Sequence, residues 1–439
     1  MDQDNKEGGG GGGEGVGGGE GGVGGGLRKG LSVTTTALFL MAQIASAGFL
    51  SLPKAFANTG WVGPGMMIVF CLGVAFSGTR LGYCWVIMEE RWPLRYGQGS
   101  RQPYMEMVER TLGRYGRSIS LFLLVITLLG ATTVYIILTA NFLNALVEKL
   151  SSCEWMLVTV GVLLPFTWLG TPKDFWQVPL LAMVGTIIAA LVVVVEVLVE
   201  ADQHPNPVYT NPTVYTFFLG FGAILYAFGG GVVFPAIQMD MKDRSQFWKS
   251  TVICFAVLLL LYLSVGIVGY VVQGSDVGSN VLLTLDTNKV IIKVAVGMEI
   301  VNLLGSFLIG FNPMAQACED VLNIDKKFGW KRVLVRSSLL MLELLISLAV
   351  PSFDKILNLI GGSTVPIFSF FLPSFMYMTL INMKPQPGWI PRSVGLWEKT
   401  LMYEMILVGV VGGISSTVFA IIDILNPDSF SQSCFVNFS

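Results

Sequence analysis

Charge is scarce in this chain. Asp, Glu, Lys and Arg make up 13% of its 439 residues against 53% hydrophobic ones. A soluble domain carries roughly 25% charged residues, so this chain has too little polar surface to be solvated. The single histidine, His204, excludes metal sites built from several imidazoles. The six cysteines contain no pair spaced by two residues, which argues against thiolate zinc and iron–sulfur sites. Neither sign of charge dominates, with 27 basic residues against 29 acidic ones, and the basic residues fall in short separated blocks. A nucleic acid partner is therefore not expected. No acid, base and nucleophile cluster at membrane depth, so neither an enzyme nor a cofactor is expected. No cleavage site precedes the first apolar run, which should stay in the protein.

Long apolar runs are what the chain has instead. A helix needs about 20 mostly apolar residues to cross a bilayer. Eleven such intervals are separated by charged or Pro/Gly-rich breaks: 31–57, 62–88, 117–147, 154–171, 175–199, 212–239, 248–273, 290–318, 331–350, 355–382 and 401–425. The expected organisation is a cytosolic tail over 1–30, a transmembrane domain over 31–425 and a short outer or lumenal tail over 426–439. With the amino terminus in the cytosol, 21 basic residues fall inside and five outside, and Arg80 within span two completes the 27. The positive-inside rule thus supports the count and the direction together. The carboxyl terminus then lies outside or in a lumen, and plasma membrane and vacuolar or lysosomal membrane both fit.

Residues 8–26 hold 15 of the 51 glycines. Such a segment has no side chains to offset its chain entropy, and disorder is expected. Cys153 and Cys434 are the two cysteines expected outside, where a disulfide between them is open. Cys71, Cys84, Cys254 and Cys318 fall in helices as small packing residues. The sequon Asn437-Phe438-Ser439 sits too near the end for good use.

Two spans share an irregularity. Span one reads Ala45-Ser46-Ala47-Gly48-Phe49-Leu50-Ser51-Leu52-Pro53, and span six reads Ala227-Phe228-Gly229-Gly230-Gly231-Val232-Val233-Phe234-Pro235. In each, glycine precedes proline by five positions. Gly costs a helix about 1 kcal/mol and an interior Pro about 3 kcal/mol, so both spans should break near mid-membrane. Span one opens the first five helices and span six the second five, and an odd number turns the second half over. Interrupted helices at matched positions of two inverted repeats point to a transporter's binding site. Half-helix amino ends favour an anion and free carbonyls favour a cation, which together suit a zwitterion.

The stretch from Ala47 through Pro53-Lys54-Ala55-Phe56-Ala57-Asn58-Thr59-Gly60-Trp61 resembles the first-helix signature of the amino acid/auxin permease family, within the amino acid, polyamine and organocation transporter superfamily. Tyr226-Ala227-Phe228-Gly229-Gly230, followed by Val233 to Met241, is similar to its sixth-helix signature. Leu359 to Pro366 with Leu372-Pro373 is similar to its tenth-helix pattern. The resemblance spans roughly 31–425. It implies an eleven-helix transporter of the leucine-transporter fold, moving a small amino acid or related amine with a proton or sodium. By position, it implies that substrate meets the backbone of Ala45, Ser46, Ala47, Gly48 and Phe49. The opposing surface would be Tyr226, Ala227, Phe228, Gly229, Gly230 and Gly231. Many relatives have His after the Gly-Gly pair. Gly231 stands there in this chain, which puts His-based coupling in doubt.

Charges inside spans cost several kcal/mol unless paired or wet. Glu343 lies near the middle of span nine and Glu299 a third of the way into span eight, each as a proton-titrating carboxylate or as a paired or packing group. Span nine is peripheral in the related fold, which favours the packing role for Glu343. Sodium coupling would need carbonyls at the first break and a hydroxyl such as Ser306, with Asn302 and Asn312 as polar neighbours. Lys54 could sit in the outer vestibule or pair with Asp354 or another acid, and Arg80 could snorkel. Taken together, the residues predict a secondary active amino acid transporter. The alternative is an amino acid sensor that binds ligand and signals, through the tail or the arginine-rich segment 91–117, to protein partners the sequence does not identify.

Overall fold

The structure, a computed structural model, describes residues 30–45, 47–97, 99–100, 102–168, 177–203, 205–324, 328–426 and 433–436. The glycine-rich tail, Ser46, His204, Asn437 and most of the carboxyl-terminal tail lie outside these residues. Apart from one parallel bridge between Leu31 and Met241, regular structure among the described residues is helical. In chain order the helices are α1 (Val33–Ile44), α2 (Leu52–Thr59), α3 (Val62–Arg91), α4 (Pro93–Tyr96), α5 (Pro103–Leu146), α6 (Ser152–Trp168), α7 (Gln177–Val199), α8 (Val214–Ala227), α9 (Phe234–Met239), α10 (Phe247–Gln273), α11 (Val290–Val321), α12 (Trp330–Ala349), α13 (Phe353–Ser363), α14 (Leu372–Ile381) and α15 (Leu396–Leu425).

Among the described residues, seven stretches are long and apolar enough to cross a membrane: α3, α5, α7, α10, α11, α13 with α14, and α15. Helices α1 and α2, bent by 52° across the segment between them, make an eighth when taken as one span. Each of the eleven expected intervals holds a helix or helix pair. However, α6 has 17 residues and α8 has 14, and α12 carries Lys331, Arg332, Arg336 and Glu343. Length and apolarity therefore establish a multi-pass all-α membrane protein with seven to eight spans. One boundary needs correction. The interval expected to begin at 117 belongs to a helix that starts at Pro103 and turns at Gly113, whose φ of 75° suits glycine.

The two matched irregularities are real interruptions, but proline acts differently from the expectation. Helix α1 stops at Ile44, a 3-10 turn covers Gly48–Ser51, and Pro53 lies in the first turn of α2. Helix α8 stops at Ala227, and Pro235 lies in the first turn of α9. A first-turn proline lacks only an N–H that would have no helical acceptor anyway. Each proline thus starts the second half-helix, and the break itself falls upstream in the small residues. Gly230 has a φ of 152°, a conformation that only glycine adopts without strain. The tenth interval is also irregular: a π-helical turn over Ile367–Phe371 separates α13 from α14.

Lipid tails are as apolar as leucine, so helices in a bilayer associate through close contact of small residues. Helix α8 packs against α2, α13 and α15 in this way. A Cβ on Gly361 would lie 2.0 Å from the Gly222 carbonyl oxygen, and one on Gly362 would lie 2.3 Å from Ser416 Oγ. Val69 and Leu72 on α3 and Ile414 on α15 remain exposed, as lipid-facing positions should be.

A disulfide joins Cys153 at the start of α6 to Cys434, with Cα atoms 5.8 Å apart. The Cys434 amide also donates to the Leu348 carbonyl at 3.0 Å, which clips the carboxyl-terminal tail onto the end of α12. Alkylation of the unfolded protein should tag four thiols without reductant, at Cys71, Cys84, Cys254 and Cys318, and all six cysteines after reduction. Six tags at the outset would disprove the bridge. Replacing both bridged residues by Ser should lower stability by about 2 kcal/mol.

Candidate functional site

The two breaks touch. A Cβ on Gly48 would stand 2.5 Å from Ala227 Cα, and one on Gly230 would stand 2.9 Å from Ile44 Cγ1. Ala45, Ala47, Gly48 and Phe49 are buried, as are Tyr226, Ala227, Phe228 and Gly231. Gly229 and Gly230 are half-buried. Ser46 lies outside the described residues.

The hydrogen-bond inventory of the breaks is uneven. The Ile44 carbonyl accepts from the Tyr262 hydroxyl at 3.4 Å, and the Ala45 carbonyl accepts from Thr186 Oγ1 at 3.2 Å. The Ala47 carbonyl takes the Leu50 amide, and the Gly48 carbonyl takes the Ser51 hydroxyl at 2.9 Å. The amides of Gly48 and Phe49 open the 3-10 turn, where helical geometry supplies no acceptor. Across the contact, no hydrogen bond among the described residues occupies the Phe228 and Gly229 carbonyls. The first break therefore presents N–H groups, and the second presents the Phe228 and Gly229 carbonyls together with the amides of Gly230, Gly231 and Val232, which have no backbone acceptor among the described residues. An unmatched backbone group in a bilayer persists only where a ligand, water or protein can replace the lost bond.

Side chains at the breaks divide by direction. The Phe228 ring packs on Tyr262 at 5.4 Å and Phe255 at 6.2 Å, so it faces α10 and leaves only its backbone for a ligand. The Tyr226 hydroxyl lies beside that of Tyr135 on α5. Tyr135 carried no signal in the sequence, since tyrosine is an ordinary residue in a span.

A chain of polar side chains runs from the first break to α11. Thr186 on α7 donates to the Ala45 carbonyl, and Asn302 Nδ2 donates to Thr186 Oγ1 at 2.8 Å and to Glu299 Oε2 at 3.2 Å. Ser306 Oγ donates to Asn302 Oδ1 at 3.4 Å. Glu299 is fully buried, and its Oε1 has no hydrogen-bond partner among the described residues. Two of the three ion-coupling candidates, Glu299 and Ser306, thus share one network that reaches the Ala45 carbonyl at the first break. Thr186, which links that network to the break, was missed: a lone threonine in an apolar run reads as packing.

Glu343 stands apart. It is fully buried on α12, its Oε1 contacts Thr132 Oγ1 on α5 at 2.5 Å, and its Oε2 has no partner among the described residues. No cation pairs with it among the described residues, and no hydrogen bond joins it to the Glu299 network. Thr132 also reaches the Leu128 carbonyl at 2.7 Å. A hydroxyl pair of this kind does not need a charge on the carboxyl. Glu343→Gln should therefore change initial uptake rates by less than about twofold. Glu343→Ala, which empties the space of a buried side chain while Thr132 keeps the Leu128 carbonyl, should cost about 2 kcal/mol or more of stability. Thermal unfolding of purified variants, compared with uptake, separates the two effects.

The remaining candidates take structural partners. Asn312 Oδ1 accepts from the buried Arg336, whose Nε donates to Glu319 at 2.6 Å, so Asn312 belongs to a charged cluster. Lys54 Nζ donates to the Ser275 carbonyl at 3.4 Å and not to Asp354. Arg80 pairs with Glu398 at 3.1 Å beside the rings of Phe76 and Tyr377.

Known proteins resemble this chain in sequence and in fold. The family described as "Transmembrane amino acid transporter protein" matches residues 29–422. Amino acid transporter AVT1C of Arabidopsis thaliana is 25% identical over 392 residues, which is 85% of this chain and 66% of that protein. Amino acid transporter AVT1H of the same plant is 26% identical over 356 residues, 78% of this chain and 80% of that protein. The crystal structure of the Eremococcus coleocola manganese transporter, in complex with an aromatic bis-isothiourea substituted compound, is similar in fold. Its TM-score is 0.60 at 13% identity, covering 92% of this chain and 90% of that one.

Proposed function

The chain belongs to the family of transmembrane amino acid transporter proteins, and from that premise we propose that it is a secondary active transporter whose substrate is an amino acid bound at the two breaks. The observation that carries this reading is the contact of the two breaks at Gly48 and Ala227, next to the Gly48 and Phe49 amides on one side and the unbonded Phe228 and Gly229 carbonyls on the other. An α-carboxylate suits the amides, where the half-helix dipole is positive. An α-ammonium suits the carbonyls. Ala45, Ala47, Tyr226, Ala227, Gly230 and Gly231 would shape the surround, with Ser46 between them in sequence.

In this reading the eleven helical intervals form two inverted halves of five plus a last helix, α15. Transport proceeds by alternating access as one bundle moves against the other around the breaks. Glu299 is the coupling residue and the ion is a proton, because Thr186 and Asn302 already satisfy each other and the Ala45 carbonyl, and leave a carboxyl oxygen as the open acceptor. The amino terminus is cytosolic. The basic residues and the Cys153–Cys434 disulfide, which suits an oxidising compartment, both support that orientation. The sensor alternative is not favoured, since the relatives are named as transporters.

The test is uptake of radiolabelled amino acids into proteoliposomes under a pH gradient, a sodium gradient, or neither. Accumulation under the pH gradient alone is expected. Ligand binding without flux under any gradient would overturn transport, and accumulation under sodium alone would overturn the choice of ion.

A further inference from the structure

The end of the bundle where α3 gives way to α4 and α5 carries a charge imbalance that transport does not explain. From Glu89 to Arg117 the sequence holds four acids and six arginines. The acids are all engaged. Glu89 pairs with Arg244, Glu90 with Arg392 at 2.7 Å, and Glu109 with Arg117, while Glu106 accepts from the Ser100 hydroxyl. Arg95, Arg110 and Arg114 are exposed, and no carboxylate among the described residues pairs with them.

Two of these arginines are held in place by rings. The Arg110 guanidinium lies 3.8 Å from the centre of Trp92, Arg95 lies 5.4 Å from that of Tyr96, and the two rings are 6.4 Å apart. Stacking over an aromatic face orders a guanidinium while leaving its N–H edges free for a planar or tetrahedral oxyanion. Arg114 follows the Gly113 bend, where α5 turns from its first segment into its long apolar run. Neighbouring Arg91 differs, since it donates to the Leu380 carbonyl and stacks on Trp389.

The residues beside the free arginines say what kind of surface this is. Leu94, next to Arg95, is 103% exposed, and Tyr115, next to Arg114, is 87% exposed. Such side chains are ill placed in water but suit the boundary between headgroups and acyl chains. We propose that Arg95, Arg110 and Arg114 form a binding site for the phosphate headgroup of an anionic membrane lipid, with Leu94 and Tyr115 inserted beside its acyl chains. The site lies outside the breaks and does not rest on the transport reading.

The test compares the full-length protein with Arg95→Gln/Arg110→Gln/Arg114→Gln and with Lys242→Gln/Lys384→Gln/Lys399→Gln, which removes the same charge from other exposed positions. Each is incorporated into phosphatidylcholine vesicles containing phosphatidylserine or a phosphoinositide, extracted, and its retained lipid counted by native mass spectrometry. An arginine near the surface contributes about fivefold in affinity for anionic lipid, so the arginine variant should bind on the order of a hundredfold more weakly. The lysine variant should retain lipid within a few-fold of the unmodified protein. Equal losses in both variants, or no loss in either, would overturn the site. Displacement of the lipid by inorganic phosphate would also overturn it, in favour of a soluble phosphate ligand. Should the arginine variant fail to fold, the unmodified protein decides: its anionic-lipid retention must fall steeply with rising ionic strength, and retention insensitive to salt rejects the proposal.

Discussion

Glu299→Gln is expected to abolish accumulation driven by a pH gradient while leaving exchange of substrate across the membrane intact. Gln has nearly the shape of Glu and keeps an oxygen for the Asn302 amide, but it cannot carry a proton through the cycle. One pH unit corresponds to 1.36 kcal/mol, so a one-unit gradient sustains about a tenfold substrate ratio for each proton coupled. The unmodified protein should approach that ratio, and the variant should stop near unity. Counterflow, in which unlabelled substrate inside drives labelled substrate in, needs binding and alternating access but no net proton movement. It should persist in Glu299→Gln. Accumulation that survives in the variant would remove Glu299 from the coupling path. Loss of accumulation and counterflow together would assign it to substrate binding or folding instead.

The second large effect concerns how tightly α8 is held. On one side Gly48 meets Ala227, and on the other Gly361 meets Gly222. A methyl group on Gly48 would fall 2.5 Å from a backbone carbon, and one on Gly361 would fall 2.0 Å from a backbone oxygen and 2.8 Å from Tyr226 Cβ. No flexible side chain end can move aside at either place, so α8 itself must shift. Overpacking of this kind costs about 1–3 kcal/mol or more. Gly48→Ala should also part the amides of the first break from the carbonyls of the second, and lose uptake beyond what its stability loss explains. Gly361→Ala should be the less stable of the two. Gly297→Ala on α11, where a Cβ would find nothing within 4 Å, should be silent in both measurements. Normal uptake by a folded Gly48→Ala would show that the contact between the breaks is not required for transport.

How much of this could be read beforehand differs by feature. The interruptions were legible because glycine and proline act locally, on the residues within one turn. Even so, proline's part was misjudged: Pro53 and Pro235 begin half-helices and break none. The start of α5 was missed because Glu106, Glu109, Arg110 and Arg114 make Pro103–Arg117 look like a loop to hydropathy, whereas it is a polar helix ahead of the Gly113 bend. Phe228 was placed at the site by its position in a motif, and the motif does not say where its ring goes, which is onto α10.

By itself, then, the sequence determined that the chain belongs in a membrane, roughly where most of its helices lie and where two of them stop, while its motifs resembled those of a known family. Each of these depends on composition or on neighbours a few positions apart. The tertiary structure decided which groups meet: Gly48 with Ala227, Gly361 with Gly222, Cys153 with Cys434, and Glu299 through Asn302 and Thr186 with the Ala45 carbonyl. Thr186 and Ala45 are 141 positions apart, and Asn302 and Thr186 are 116. Contacts at that range are set by how whole helices pack, and a buried Glu on one span carries no mark of the threonine that another span will bring to it.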